Sequence, residues 1–123
     1  MPHKLYHSGA SAEIHVYVNN RGVELVADFI DDLPSQEQKK VVRLIKDFSE
    51  RGEIKNREKF RLEERSIYAF KSFQVRILCF FLPNSPKKTV VLTHGLKKQK
   101  DRLPQSELEK AKRIYEELTG RKP

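Results

Sequence analysis

The chain has 123 residues, of which 37% are hydrophobic and 34% are charged, a length that favours one domain over residues 1–123 with one modest core. No apolar run approaches the roughly 20 residues of a membrane-spanning helix, and the first residues lack the apolar core of a signal peptide, so we expect a cytoplasmic protein with no membrane partner. Cys79 is the only cysteine in the sequence, which excludes an internal disulfide and a multi-cysteine metal site.

Positive charge is concentrated in the second part of the sequence. Residues 1–54 contain 7 Lys and Arg against 9 Asp and Glu, whereas residues 55–123 contain 18 against 8. This asymmetry is typical of a protein that binds a polyanion. A well-solvated surface gives the same totals, so charge alone leaves both interpretations open.

The first half of the chain predicts one strand followed by two helices. Residues 1–11 are expected to be loosely ordered. Apolar and polar residues alternate over Ala12–Val18, as they do in a half-buried strand. Apolar stripes at helical spacing predict a helix within Val23–Leu33 and a second helix, which opens on the capping-box pattern Ser35–Gln38 and ends near Gly52. The short joint between them favours an antiparallel helix pair.

The second half predicts three strands and a last helix. Residues 49–65 are mostly charged and predict a solvated connector or, alternatively, a loop that approaches a phosphate backbone. Ile67–Lys71, Val75–Leu82 and Thr89–His94 predict a meander, and the middle strand is apolar on both sides, as a central strand should be. A helical stripe then follows Pro104. The expected fold is α+β, in the order β-α-α-β-β-β-α. It has a four-stranded, mainly antiparallel sheet with the helix pair on one face and the C-terminal helix on the other.

Candidate chemistry is cationic and centres on the predicted sheet. Arg76 interrupts the apolar strand and needs water, a carboxylate or a ligand phosphate, because burying it unpaired is costly. An ion pair with Glu64 or Glu107 is the alternative explanation. Lys71 ends the preceding strand and His94 ends the last one, where a solvated lysine and a half-buried histidine are the simpler interpretations.

Taken together, these groups suit RNA cleavage through the 2′-hydroxyl without a metal or cofactor. That reaction needs cations around the scissile phosphate and groups that move protons, and histidine can do the latter near neutral pH. The catalytic candidates are therefore Lys71, Arg76 and His94. The candidates for holding the RNA backbone are basic residues before and after the strands: Arg61, Arg65, Lys97, Lys98 and Lys100.

Between positions 67 and 111 the chain carries an ordered series of short motifs. They are Ile67-Tyr68, Lys71, Arg76-Ile77-Leu78, His94-Gly95, Lys97-Lys98, Leu103-Pro104, Glu107 and Ala111. In this order the chain resembles the RelE/HigB superfamily of toxins, and within it the phage-derived HigB-like branch of type II toxin–antitoxin toxins. Ala69 and Phe70 depart from the family's usual Glu-Leu, and Tyr115 is no obvious equivalent of the catalytic tyrosine of RelE.

The resemblance implies a RelE-like fold and a toxin that cleaves mRNA on the ribosome without a metal. It also implies a cognate antitoxin, which in this branch is usually a helix-turn-helix DNA-binding protein. By position, Lys71, Arg76, His94, Lys97 and Lys98 match the basic motif residues of the family. Two other functions stay open: a ParE-like inhibitor of DNA gyrase, and a catalytically inactive basic module that binds RNA.

Overall fold

The computed structural model describes residues 2–99 and 102–123. Its strands and helices follow one another as β1 (His3–Ser8), β2 (Glu13–Tyr17), α1 (Leu25–Asp31), α2 (Ser35–Arg51), β3 (Phe60–Glu64), β4 (Ile67–Ser72), β5 (Val75–Phe81), β6 (Thr89–Lys97) and α3 (Gln105–Thr119). No helix in this described part of the chain is long and apolar enough to cross a membrane.

The strands form one six-stranded sheet in the order β1-β2-β6-β5-β4-β3. Neighbouring strands are antiparallel except β2 and β6, which run parallel, so the sheet is mixed. The α+β class is as predicted, but the four-stranded, mainly antiparallel sheet is wrong, and so is the order β-α-α-β-β-β-α. The error comes from two strands that the sequence did not predict.

These two strands, β1 and β3, are the outer strands of the sheet. His3–Ser8 lies where a loosely ordered start was expected, and Phe60–Glu64 lies in the stretch interpreted as a charged connector. An outer strand needs pairing on only one side and tolerates charged and polar side chains. The apolar alternation of an inner strand is absent from β1 and, in β3, is limited to Phe60 and Leu62 among charged residues.

The helices cover the two faces of the sheet unequally. Both α1 and α2 pack on one face, with α1 over β2 and β6 and α2 mainly over β4. The strand that each helix mainly covers differs, β6 for α1 and β4 for α2, and the two are not the antiparallel helix pair predicted from their short joint. The other face is covered by α3, whose buried residues pack against β4, β5 and β6. Each face of the sheet thus has its own apolar core.

Strand β5 lies between β4 and β6 and is buried along nearly its whole length, as its apolar sequence predicted. Its alternate side chains enter different cores: Ile77 and Cys79 face α1 and α2, while Leu78 and Phe80 face α3. This alternation decides where the neighbouring cations point. Arg76 precedes Leu78 by two residues and therefore belongs to the α3 face.

Candidate functional site

Four cations gather where β3, β4 and β5 leave the cover of α3. Ala69 and Leu78 belong to the core under α3. Lys71 is two residues beyond Ala69, and it pairs across the strands with Arg76. Arg61 of β3 pairs with Ala69 and so lies on the same face. We call Arg61, Lys71, Arg76 and Lys98 the basic cluster.

Lys98 joins the cluster from the end of β6. Its backbone N–H donates to the carbonyl of Gln74 at 2.7 Å, which fixes it beside the β4–β5 turn. Its positive charge lowers the pKa of Lys71, as described below, so the two ammonium groups act on each other. Three strands and the end of a fourth therefore supply one local concentration of positive charge.

Arg76 is only 8% exposed, and its guanidinium donates to main-chain carbonyls. Nη1 donates to the carbonyl of Val75 at 2.9 Å and to that of Phe73. The carboxylates considered as its partners are engaged elsewhere: Glu64 with Lys112 at 2.7 Å and Glu107 with His94 at 2.9 Å. Arg76 thus holds the turn that follows β4, and the ion pair considered from the sequence is not formed.

Lys71 lies in a positive environment that disfavours its own charge. Burial lowers the pKa of its ammonium group, and the neighbouring Arg61, Arg76 and Lys98 lower it further. Glu63 acts in the opposite direction and raises this pKa. A lysine with a lowered pKa holds a larger neutral fraction near pH 7, and neutral amines accept protons.

Glu63 places a carboxylate within the basic cluster, which the sequence did not predict. Its side chain is 10% exposed and accepts hydrogen bonds from Arg61, from Nε at 3.0 Å and from Nη2 at 3.4 Å. The register between β3 and β4 shifts between Leu62 and Glu64, and such a bulge changes where side chains point. The sequence feature that could have revealed β3, and Glu63 on it, is the alternation of Phe60 and Leu62 with charged residues just before β4.

His94 lies behind the cluster, under the first turn of α3. Its side chain is 4% exposed, with Nε2 at 2.9 Å from Oε1 of Glu107. Nδ1 lies 3.1 Å from the hydroxyl of Thr93, which is itself 3.1 Å from the carbonyl of Leu78. Burial and the charge of Lys110 lower the pKa of His94, while Glu107 raises it. Both ring nitrogens thus have partners within the protein.

Gly95, the residue after His94, has to be a glycine because α1 packs closely against it on the opposite face of the sheet. A Cβ added to Gly95 would come within 2.3 Å of the ring of Phe29 in α1. Any larger residue there would push α1 away from the sheet. His94 thus contacts α3 on one face of the sheet, and Gly95 contacts α1 on the other.

The other predicted RNA-binding residues are spread over the molecule. Arg65 is exposed in the turn that joins β3 to β4, at the opposite end of that hairpin from Lys71. Lys97 is exposed and pairs with Glu37 of α2 at 3.2 Å, on the other face of the sheet. Lys100 lies outside the described residues. The structure therefore brings together Lys71, Arg76, Arg61 and Lys98, and separates Arg65, Lys97 and the buried His94 from them.

Among residues 2–99 and 102–123, no group of three or more His, Cys, Asp or Glu side chains could hold a metal ion. The basic cluster itself consists of organic cations near one carboxylate, Glu63. Such a set can bind a phosphodiester and stabilise added negative charge on it.

Comparison with models of known protein families gives a match that covers more than half of the chain. The family model of phage-derived Gp49-like proteins (DUF891) matches residues 28–116, from within α1 to within α3. The chain belongs to this Gp49-like family, which is a RelE/HigB-type toxin family. This membership is consistent with a toxin of a toxin–antitoxin system. No curated protein matches the chain.

The matched segment contains the basic cluster but excludes β1 and β2. All the cations of the cluster come from β3, β4, β5 and the residue after β6. The family relationship therefore covers the part of the chain that carries the candidate chemistry.

Proposed function

We propose that this protein is the toxin of a type II toxin–antitoxin system, of the HigB-like branch, and that it cleaves mRNA bound to the ribosome. The observation that carries the proposal is the basic cluster: Arg61, Lys71, Arg76 and Lys98 lie near one another, and the one carboxylate described among them, Glu63, is bound to Arg61. A phosphodiester backbone is the ligand that best matches such a set. Membership of a RelE/HigB-type toxin family supports the proposal that the protein is a toxin.

In the proposed reaction the RNA supplies its own nucleophile. The 2′-oxygen attacks the adjacent phosphorus, the bond from phosphorus to the 5′-oxygen breaks, and the products carry a 2′,3′-cyclic phosphate and a 5′-hydroxyl. Lys71 in its neutral form takes the proton of the 2′-hydroxyl, which its lowered pKa favours. The guanidinium groups of Arg61 and Arg76 stabilise the charge that builds on the phosphate oxygens.

The second proton transfer is assigned to His94, which donates to the departing 5′-oxygen. This role requires the Glu107 carboxylate to leave Nε2, because both ring nitrogens have partners in the free protein. Glu107 lies in the first turn of α3, so this role requires that turn to move, both to release the histidine and to let it approach the cluster from which it is separated in the free protein. His94→Gln tests this step, since glutamine can still donate to Glu107 but carries no titratable group.

The proposed partners are mRNA in the cytoplasm and an antitoxin with a helix-turn-helix DNA-binding fold. An antitoxin that neutralises the toxin by covering the basic cluster should present carboxylates to it, because exposed cations favour an acidic surface. Lys71→Glu together with Lys98→Glu should then weaken the complex, as measured by copurification with the neighbouring gene product.

The decisive experiment is induced expression in a bacterium, followed by mapping of transcript 5′ ends. We expect new 5′-hydroxyl ends within translated messages for the wild type and loss of these ends in Lys71→Ala and Arg76→Ala. Lys122→Ala and Arg21→Ala are matched controls, since both residues are exposed and outside the cluster. Growth arrest without new ends would favour gyrase inhibition, and neither arrest nor ends would favour an inactive binding module.

A further inference from the structure

Phe73, at the tip of the turn between β4 and β5, is a bulky aromatic residue in an unfavourable position. It is 70% exposed and has a φ angle of +54°. Glycine or asparagine normally occupies such a position, because a large side chain at positive φ is strained. Exposure of an aromatic ring also leaves its apolar surface in water. Neither feature stabilises the protein, which points to a use outside it.

The turn that carries Phe73 is held firmly from both sides. Nη1 of Arg76 donates to the carbonyl of Phe73, and the N–H of Lys98 donates to that of Gln74 at 2.7 Å. Two members of the basic cluster therefore fix the backbone beneath the ring. A turn whose backbone is fixed in advance loses little conformational freedom when a ligand stacks on its side chain.

Beside the ring is a cavity of about 540 Å³ between α2 and the β4–β5 turn. Its lining includes four cations, Lys40, Arg43, Lys59 and Lys71, against the two carboxylates of Asp47 and Glu58. The ammonium of Lys40 lies 4.3 Å from the centre of the Phe73 ring. We call this space the Phe73 cavity. Its volume lies within the range of about 300–1,000 Å³ that small-molecule sites occupy.

We propose that Phe73 and the Phe73 cavity bind one unpaired nucleotide of single-stranded RNA. The base stacks on the Phe73 ring, and the flanking phosphates contact Lys40, Arg43 and Lys59. Single-stranded nucleic acids are bound in this way, by aromatic stacking combined with cations along the backbone. The choice of RNA as the ligand rests on the proposed function, but the binding itself requires no cleavage.

Lys71 connects this site to the basic cluster. It lines the Phe73 cavity, and it is the cross-strand partner of Arg76 within the cluster. The cluster lies on the α3 face of the sheet and the cavity on the α2 face, so an RNA strand that contacts both passes around the end of the sheet at Lys71 and the β4–β5 turn. The Phe73 cavity would hold a nucleotide next to the cleavage position, where it can influence the choice of cleavage site.

The surroundings favour a nucleotide over a protein partner. A protein interface usually has an apolar centre with few charges. Here the exposed ring has cations around it, and its cavity-lining neighbours include only one other apolar residue, Leu44, among the described residues. An isolated ring beside four basic and two acidic residues matches a base between phosphates better than an apolar protein segment.

The test measures binding of a fluorescein-labelled single-stranded RNA of mixed sequence to the purified full-length protein by fluorescence anisotropy. Phe73→Leu keeps an apolar side chain but removes the π face, and should weaken binding by about 5- to 100-fold. Phe73→Trp should bind as well as the wild type. Leu5→Ala is the control, because Leu5 is also exposed, at 53%, but lies on the distant outer strand β1.

The salt dependence of RNA binding distinguishes the contribution of the Phe73 ring from that of the cations. Phe73→Leu should leave the slope of log K against log salt unchanged, because the ring neutralises no phosphate. Arg43→Ala should reduce the slope by about 0.7. Phe73→Gly provides a folding check: it relieves the positive-φ strain, so the protein should be at least as heat-stable as the wild type while RNA binding falls.

Unchanged RNA binding in Phe73→Leu would overturn the proposal, and so would equal losses in Phe73→Leu and Phe73→Trp. If Phe73→Leu instead lost only the copurified antitoxin, the ring would serve a protein partner. The proposed nuclease function fails independently: wild-type protein that binds RNA through Phe73 but produces no new 5′ ends would keep this site and refute cleavage.

Discussion

The sheet face that carries α3 has two charged regions that differ in how their charges are neutralised. Along α3, two carboxylates have close partners: Glu64 pairs with the Lys112 ammonium at 2.7 Å, and Glu107 is hydrogen-bonded to the His94 ring at 2.9 Å. In the basic cluster, four cations have one nearby carboxylate, Glu63, which accepts hydrogen bonds from Arg61 and acts electrostatically on Lys71 and Arg76. The first region uses its charges to attach α3 to the sheet. The second keeps positive charge available for an anion that the protein does not itself supply.

The largest predicted effect is a loss of stability when His94, in the first region, is replaced. His94→Ala removes a buried ring and its hydrogen bonds to the half-buried Glu107 carboxylate and the buried Thr93 hydroxyl, and should lower the free energy of unfolding by about 2 kcal/mol. Urea denaturation followed by circular dichroism measures this loss. His94→Gln, which retains a donor for Glu107, should lose clearly less. An alanine variant as stable as the wild type would show that the pair does not attach α3.

A smaller effect of the same pair should appear as pH dependence. The pKa of His94 is lowered in the folded protein, so the unfolded state binds more protons as the pH falls below about 6.5. The contribution of His94 to stability is therefore fully present above its pKa in the unfolded state. It is lost as the pH falls from there toward the pKa of His94 in the folded state.

The pKa of His3 is also lowered, mainly by burial, and contributes with the same sign. The informative quantity is thus the difference between wild type and His94→Gln, in which the contribution of His3 cancels. Thermal unfolding at a series of pH values between 7.5 and 5 gives this difference. Parallel curves for the two proteins would exclude a contribution from His94.

Adjacent lysines test the second region by RNA binding. Lys98 belongs to the basic cluster, whereas Lys97 points to the other face and pairs with Glu37. Lys98→Ala should reduce the salt slope of RNA binding by about 0.7, and Lys97→Ala should reduce it less. Anisotropy titrations at several salt concentrations measure both. Equal slopes for the two variants would mean that the cluster is not the principal phosphate site.

The smallest stability change is expected at Lys71. Lys71→Met keeps most of the apolar stem and removes a charge that Arg61, Arg76 and Lys98 repel. The free energy of unfolding should change by no more than about 0.5 kcal/mol, while RNA cleavage is lost. Urea denaturation and 5′-end mapping on the same variant test both parts. A strongly destabilised variant would place Lys71 among the structural residues.

The comparison of these regions also explains what could be predicted from the sequence. Strands β2, β4, β5 and β6 and all three helices follow from apolar periodicity, because each buries one side or both. β1 and β3 were missed because outer strands are fixed mainly by backbone pairing, which leaves little pattern in side chains. The capping-box pattern marked the start of α2 correctly, although no side-chain cap is formed there.

For the site, the sequence identified cations but not their distances from one another. Lys71 and Arg76 were predicted together because a hairpin brings them opposite each other, and the structure has this register. Glu63 was missed because it lies on the strand that was not predicted. His94 is buried beneath α3 and pairs with Glu107 of that helix, 13 residues further along the chain. A single sequence does not show such a pairing.

The parallel pairing of β2 with β6 constrains the order of events during synthesis. The N-terminal hairpin of β1 and β2 is made first, but its place in the sheet is beside β6, at residues 89–97. Contacts between such distant segments form late in folding, because a long loop must close first. The hairpin must therefore wait, with one edge unpaired, until most of the chain has left the ribosome. Lys98 follows β6 directly, so the basic cluster is completed at the same late stage.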